Sequence, residues 1–237
     1  MSAPREVLAV SGLSAGYGPM RILHDLDLSV AAGERVGIVG LNGHGKSTLF
    51  LAIAGMTGWQ RGSIVLNGHE VGGTRSQGPG RYTHRVVRHG LALIPQGDEI
   101  FHGLTVEEHL DSGAFTRTAW RERKQRKARV VATFPALAAL MSVPVGRLSG
   151  GERRMVCIGR GLMSDASLFL VDEPSLGLAP KIGHAVMDAL MQLELGDAAM
   201  VIAEQNVSLL EGRVDRIIGM HVGRLKGEAS ASLVRSR

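Results

Sequence analysis

GLNGHGKS, the eight residues from Gly40 to Ser47, decides the fold through what stands on either side of it. The run before it, Val36, Gly37, Ile38 and Val39, is apolar on both faces, as a central parallel strand must be. The run after it, Lys46 to Ala54, has the length and composition of a helix and stops at Gly55. Strand, glycine-rich loop and helix in that order form a phosphate-binding loop. Glycines let consecutive backbone N–H groups converge on one anion with no side chain in the way, and the helix adds its positive end. Asn42, Gly43, His44 and Gly45 are therefore expected to line a triphosphate. Lys46 supplies a point charge for the β- and γ-phosphates, and Ser47 and Thr48 add hydroxyls, that of Ser47 also a ligand for Mg²⁺. A histidine is unusual here, but position 44 works through its backbone, so His44 reads as a tolerated substitution rather than a catalytic group.

Further along, the apolar run Leu168 to Val171 ends in Asp172-Glu173. That puts two carboxylates at the carboxyl end of a central strand, the edge where ligands bind in such sheets. Asp172 is the expected Mg²⁺ partner, from behind the ion's own ligands or through water, and Glu173 the expected general base for an attacking water. Leu91–Ile94 reads as another buried strand with Gln96 just past its end, and Met200–Ala203 and Arg216–Met220 complete a mainly parallel set. Near the amino end, Val7–Val10, Leu26–Val30 and Ser63–Leu66 before the Asn67-Gly68 turn read as antiparallel strands. The glycine-rich stretch 71–81 reads as loop. Two capping boxes, Thr105 with Glu108 and Ser149 with Glu152, start helices. From Thr105 to about Met141 the pattern is helical and charged, broken at Phe134-Pro135; a helix from about Lys181 to Leu195 follows later.

The 237 residues, 44% apolar, suffice for one α/β domain with an inserted subdomain. One cysteine, Cys157 between Val156 and Ile158, excludes an internal disulfide and reads as a buried thiol. The amino terminus lacks the pattern of a secretory signal, and no segment reaches the 18 or more apolar residues of a membrane span, so a membrane role requires a partner. Nine histidines fall without metal-ligand spacing. The net charge of +5 is uneven: Arg117, Arg121, Arg123, Lys124, Arg126, Lys127 and Arg129 gather with only Glu122 opposing them. Such a stretch is either a solvated helix or a face toward anionic headgroups or phosphate. With aromatic residues at 4% of the chain, nucleic acid is not expected as a partner.

LSGGE, Leu148 to Glu152, taken with the phosphate loop, the strand-end Asp172-Glu173 and Gln96, resembles the nucleotide-binding subunit of ABC transporters over nearly the whole chain. The resemblance implies an α/β fold with a P-loop NTPase core of mainly parallel sheet, an antiparallel β subdomain and an inserted α-helical subdomain. It implies one ATP-binding domain over 1–237, with 1–95 and 165–237 as a RecA-like core carrying the antiparallel part and 97–164 as the helical subdomain with the signature motif. Two such subunits sandwich two ATP molecules head to tail. Ser149, Gly150 and Gly151 would then reach the γ-phosphate bound by the partner chain. Gln96 would touch Mg²⁺ and signal to the membrane subunit, and Tyr17 would stack on adenine.

DEPSLGLAP, Asp172 to Pro180, and AEQN, Ala203 to Asn206, are similar to the branch serving importers of branched-chain amino acids and of amides, urea or aromatic acids. Two departures from the broader family stand out. Ser175, Leu176, Gly177 and Leu178 carry no carboxylate where an aspartate usually communicates across the dimer, and Gln205 stands where most members place a γ-phosphate-sensing histidine. The implied role is an ATPase with Glu173 and Gln205 at the chemistry, ATP and Mg²⁺ as ligands, and transmembrane permease subunits as partners. A second ATPase subunit, paralogue or self, completes the dimer, and an external solute-binding protein acts indirectly. The implied place is the cytoplasmic face of the inner membrane, held peripherally. Two other readings are weaker. A soluble ABC ATPase acting on DNA or ribosomes usually carries two fused ATPase domains or long coiled coils, and a small-molecule kinase would not carry LSGGE.

Overall fold

Two long strands, β1 (Glu6–Tyr17) and β2 (Met20–Ala31), form an antiparallel hairpin, and β3 (Arg35–Val39) then leads into the phosphate loop and α1 (Lys46–Ile53). The computed structural model describes residues 5–72, 76–77, 83–97 and 99–228. Within them follow β4 (Trp59–Leu66), β5 (His69–Gly72), β6 (Ser76–Gln77), α2 (Thr83–Arg88) and β7 (Leu91–Ile94). Next come α3 (Val106–Asp111), α4 (Arg117–Arg121), α5 (Arg123–Thr133) and α6 (Gly150–Leu162). The described residues close with β8 (Leu168–Asp172), α7 (Pro180–Met191), β9 (Ala199–Glu204), β10 (Arg216–His221) and β11 (Arg224–Glu228).

These elements group into two compact units. The first comprises residues 1–93, 166–172 and 195–237 and holds two sheets. One is antiparallel in the order β2-β1-β4-β5, with β6 also on β4; the other runs β11-β10-β3-β9-β8-β7. In the second sheet β10, β3, β9 and β8 are mutually parallel, and β11 returns antiparallel along β10. Helix α1 is apolar nearly all round because it packs against β1 and β2 of one sheet and β8 of the other. Its Leu49, Phe50 and Ile53 share a core with Leu8, Leu23, Ile38, Leu66, Leu170 and Val201. Each such side chain contributes about 1.5–3 kcal/mol on burial.

Asn67 (φ 49°) and Gly68 (φ 78°) make the tight turn expected between β4 and β5. The Asn67 amide also donates to the His89 carbonyl at 2.8 Å and to Ser167 Oγ at 2.5 Å. The elements the sequence left unread are short: Val71 and Gly72 of β5 and the whole of β6 fall in the stretch read as loop, whose residues 73–75 and 78–81 lie outside those described, and α2 has a single turn and a half. A second tight turn, Val222 (φ 43°) and Gly223 (φ 68°), sends the chain back as β11, one strand beyond the expected end at Met220. Helix α7 stops at Met191, short of Leu195, where the chain turns toward Gly196 (φ 57°).

The second unit comprises residues 94–165 and 173–194. Its α3 and α5 pack on α6 at Gly159, where an added Cβ would lie 2.7 Å from Val130 and 2.9 Å from Leu110. Phe134 ends α5, and Pro135–Leu140 continues as a 3-10 turn, the expected break. The basic stretch divides by function: Arg126 pairs with Glu122 at 2.7 Å, Lys127 with Glu107 at 2.7 Å and Asp111 at 2.9 Å, and Arg123 lies over the Trp120 ring at 4.3 Å. Burial works against the Lys127 ammonium, but the hydrogen bonds to Glu107 and Asp111 outweigh it and hold its pKa above the ordinary lysine value. Arg117, Arg121, Lys124 and Arg129 face solvent. Cys157 is buried, as expected.

His109 on α3 is wholly buried, and neither ring nitrogen has a hydrogen-bond partner. Burial, with the Arg160 charge adding to it, pushes its pKa from 6.5 down to about 4. Between those values the unfolded chain holds a proton that the folded chain does not. This contribution to stability is therefore full above about pH 6.5 and is lost as pH falls toward 4, by about 3 kcal/mol. His109→Leu is expected to remove that part of the acid-side loss, read as a shallower fall of melting temperature between pH 7 and 4.5. An unchanged slope would show that other groups set the acid sensitivity.

Candidate functional site

The parallel order β3, β9, β8 brings three chain ends to one edge of the sheet. Val39 pairs with Glu204 and Ala203 with Asp172, so the phosphate loop, the Glu204-Gln205 corner and Asp172 leave the sheet side by side. Gly40 N–H donates to the Glu204 carbonyl at 3.3 Å and fixes the loop's first residue to β9. Gly40 is a glycine for space: a Cβ there would lie 2.4 Å from the Met220 carbonyl oxygen on β10. Gly43 (φ 79°) and Gly45 (φ 101°) are glycines for conformation, and around Gly43 a Cβ would meet nothing within 4 Å.

Gly45 is the N-cap of α1 and offers no side-chain cap, and no acidic residue stands in the first turn. The helix start thus has no side-chain cap, and an anion fits there by hydrogen bonding and dipole together. Lys46 is 4% exposed and donates from Nζ to the loop's own carbonyls, Gly40 at 2.7 Å and Leu41 at 3.3 Å. Leu41, Asn42 and Gly43 are exposed, and Ser47 and Thr48 are half-buried in the first turn of α1. The His44 ring is docked: its Nδ1 lies 3.0 Å from the Met220 carbonyl and its ring meets His221 edge-on, centroids 4.7 Å apart. The loop backbone is thereby braced against the end of β10. Tyr17 ends β1 at the hairpin tip, 36% exposed.

Asp172, 4% exposed, closes β8 in the same unit as Ser47. A hydroxyl and a carboxylate are the hard oxygen donors Mg²⁺ takes when phosphates supply the rest, so these two residues fit that ion. Gln205 follows β9 and is exposed.

The second unit carries the remaining candidates. Gln96 is exposed between Pro95 and Gly97 (φ 87°). Ser149 caps α6 in a full capping box: Glu152 N–H donates to its hydroxyl, while its own hydroxyl and N–H reach the Glu152 carboxylate at 2.7 and 2.8 Å. Those two bonds hold the Glu152 carboxyl below the usual glutamate range. Ser149 and Gly150 lie open at this helix end, and a Cβ on Gly151 would press on Ile182 at 3.2 Å. Glu173 is 4% exposed and has φ 43°, a left-handed conformation that costs a non-glycine residue of order 1–3 kcal/mol.

Sequence reasoning missed one participant, Arg154. It is 2% exposed, and its guanidinium donates to the carbonyls of Pro95 (2.8 Å), Gly97 (2.7 Å), Glu173 (3.2 Å) and Pro174 (3.3 Å). The available signal was periodicity. Arg154 stands on the stripe of α6 shared by Cys157, Ile158 and Gly161, where a charge has no business unless it is partnered.

The sequence profile of the ABC transporter family matches residues 23–176. A high-affinity branched-chain amino acid transport ATP-binding protein of Pseudomonas aeruginosa, BraG, is 36% identical over 92% of this chain and 91% of its own length. An archaeal relative from Archaeoglobus fulgidus, named "Probable branched-chain amino acid transport ATP-binding protein LivF", is 36% identical over 82% of this chain and 80% of its own. Among solved structures, an ATP-binding subunit of an ABC transporter superposes with a TM-score of 0.75 at 29% identity, covering 95% of this chain and 90% of that one. With the phosphate loop, strand-end carboxylates and capped LSGGE helix all in place, the chain belongs to the ABC transporter family and is one of its ATP-binding, ATP-hydrolysing subunits.

Proposed function

We propose that this chain hydrolyses ATP to drive uptake of branched-chain amino acids, or of related small polar solutes such as amides, urea or aromatic acids, through transmembrane permease subunits at the cytoplasmic face of the inner membrane. The observation that carries the reading is the 36% identity across 92% of the chain with a branched-chain amino acid transport ATP-binding protein. The strings DEPSLGLAP and AEQN point the same way. No helix of the described residues is long and apolar enough to cross a membrane, so the attachment is assigned to the permease. The segment Gly97 to Leu110, with Phe101 56% exposed, is the proposed seat of its cytoplasmic helix.

In this reading the loop N–H groups and Lys46 hold the phosphates, and Tyr17 stacks on the adenine. Mg²⁺, when bound, neutralises charge on the β- and γ-phosphates; Ser47 and Asp172 would hold it, with Gln96 at its edge. Glu173 accepts the proton of the attacking water. Gln205 donates one neutral hydrogen bond to the γ-phosphate, worth about 1 kcal/mol against roughly 1.5–3 for a charged donor, so it makes a weaker γ-phosphate switch than a histidinium. Ser149, Gly150 and Gly151 complete the site of a second subunit arranged head to tail, a paralogue or a copy.

Purification of the chain with its associated subunits from native membranes, followed by reconstitution in vesicles, tests the reading. The expected result is copurifying permease subunits and ATP-dependent accumulation of labelled leucine or a related solute once the matching binding protein is added. ATP-dependent movement of solute out of the cytoplasmic side would overturn it.

A further inference from the structure

We infer that Arg154 is a positioning residue for hydrolysis, a buried fork that locks the backbone carrying Gln96 and Glu173 to the helix that begins with LSGGE. The inference rests on the assignment of Glu173 as the base. A guanidinium removed from water is tolerated only when its donors find acceptors. Here four of the acceptors are main-chain carbonyls from two separate segments. Pro95 and Gly97 flank Gln96, and Glu173 and Pro174 are the base and its neighbour. All of these residues lie in one unit with α6.

The fork falls where the backbone most needs holding. Glu173 adopts φ 43°, and a non-glycine residue stays in that region only when its surroundings over-determine it. Its carbonyl receives Arg154 Nη2 at 3.2 Å and Leu176 N–H at 3.1 Å, so the turn is pinned from the helix and from its own chain. Gly97, also left-handed at φ 87°, is pinned at 2.7 Å by Nη1, which reaches Pro95 as well. A lysine cannot reproduce this, because one ammonium has no planar fork with which to span two segments. The signature helix therefore holds in register the two segments expected to act on water and on the metal.

The test uses the full chain with Arg154→Lys and Arg154→Met. It follows ATP turnover against ATP concentration, binding of a ribose-labelled fluorescent ATP analogue, thermal melting, and amide hydrogen exchange. A drift of the base by about 1 Å costs on the order of a hundredfold, so Arg154→Met is expected to lose about 100-fold in kcat while KM and analogue affinity stay within about threefold. Arg154→Lys is expected to lose about tenfold with the same split, and Leu176 N–H is expected to exchange faster in both. If the methionine protein does not fold, the lysine protein, which keeps the charge, decides the matter. Retained kcat in folded variants would overturn the inference. So would a kcat loss matched by equal losses of analogue binding and folded protein, since that is what a merely structural residue gives. Failure of the base assignment is read separately: Glu173→Gln would then turn over ATP normally, while faster Leu176 exchange in Arg154→Lys would still report the fork.

Discussion

The Glu173→Gln protein is expected to bind ATP as tightly as the parent and to turn it over about 10²–10⁴-fold more slowly, the range a positioned general base supplies. Glutamine keeps the size and the polar end of the side chain, so the left-handed turn at residue 173 and its contact with Arg154 survive. The capacity to take a proton is removed together with the carboxylate's charge. Lost turnover with unchanged nucleotide affinity would thus be lost chemistry rather than lost architecture. The measurements are steady-state phosphate release and equilibrium binding of a labelled ATP analogue. Turnover within about threefold of the parent would take the base role away from Glu173 and point to a water activated by phosphate itself.

That prediction was within reach of the sequence because the features behind it are local. A capping box is an i to i+3 relation, and both expected boxes formed, Thr105 with Glu108 and Ser149 with Glu152. A phosphate loop is eight consecutive residues between a strand and a helix, and β3 and α1 flank it as expected. The strand-end position of Asp172 follows from four apolar residues before it.

The elements that escaped are those whose stability comes from distant partners. The β11 segment, Arg224–Glu228, has one apolar residue and no alternation; it is a strand because β10 offers it an edge through the Val222-Gly223 turn. In the same way β1 and β2 extend well past their apolar runs by tolerating bulges, including one around Gly12 at φ 58°. Arg154 is the sharpest case. In sequence it is one of two adjacent arginines after LSGGE, and only the packing of α6 reveals that Arg153 is half-buried while Arg154 enters the interior. The docking of His44 on Met220 was also invisible, because its acceptor lies 176 residues away.

The second large effect is expected at Lys46. Its buried ammonium now satisfies the Gly40 and Leu41 carbonyls of the loop, at 2.7 and 3.3 Å, and so already stands inside the ring that a triphosphate would enter. Lys46→Met removes that charge while keeping a flexible stem of similar length. Two or three charge-assisted bonds of roughly 1.5–3 kcal/mol disappear, so analogue affinity should fall by at least about 100-fold and turnover with it. Lys46→Arg should not rescue, since a planar guanidinium cannot replace a compact point charge in so narrow a loop. The same variant tests whether the site is shared. Mixed with Ser149→Arg protein, Lys46→Met chains keep an intact LSGGE and the others an intact phosphate loop, so a mixed dimer has one complete site of two. For randomly paired copies, activity is expected to return to about a quarter of the parent per chain, although each variant alone is inactive. A mixture as inactive as its components would mean that copies of this chain do not complete one another, and that the second subunit must be a different chain.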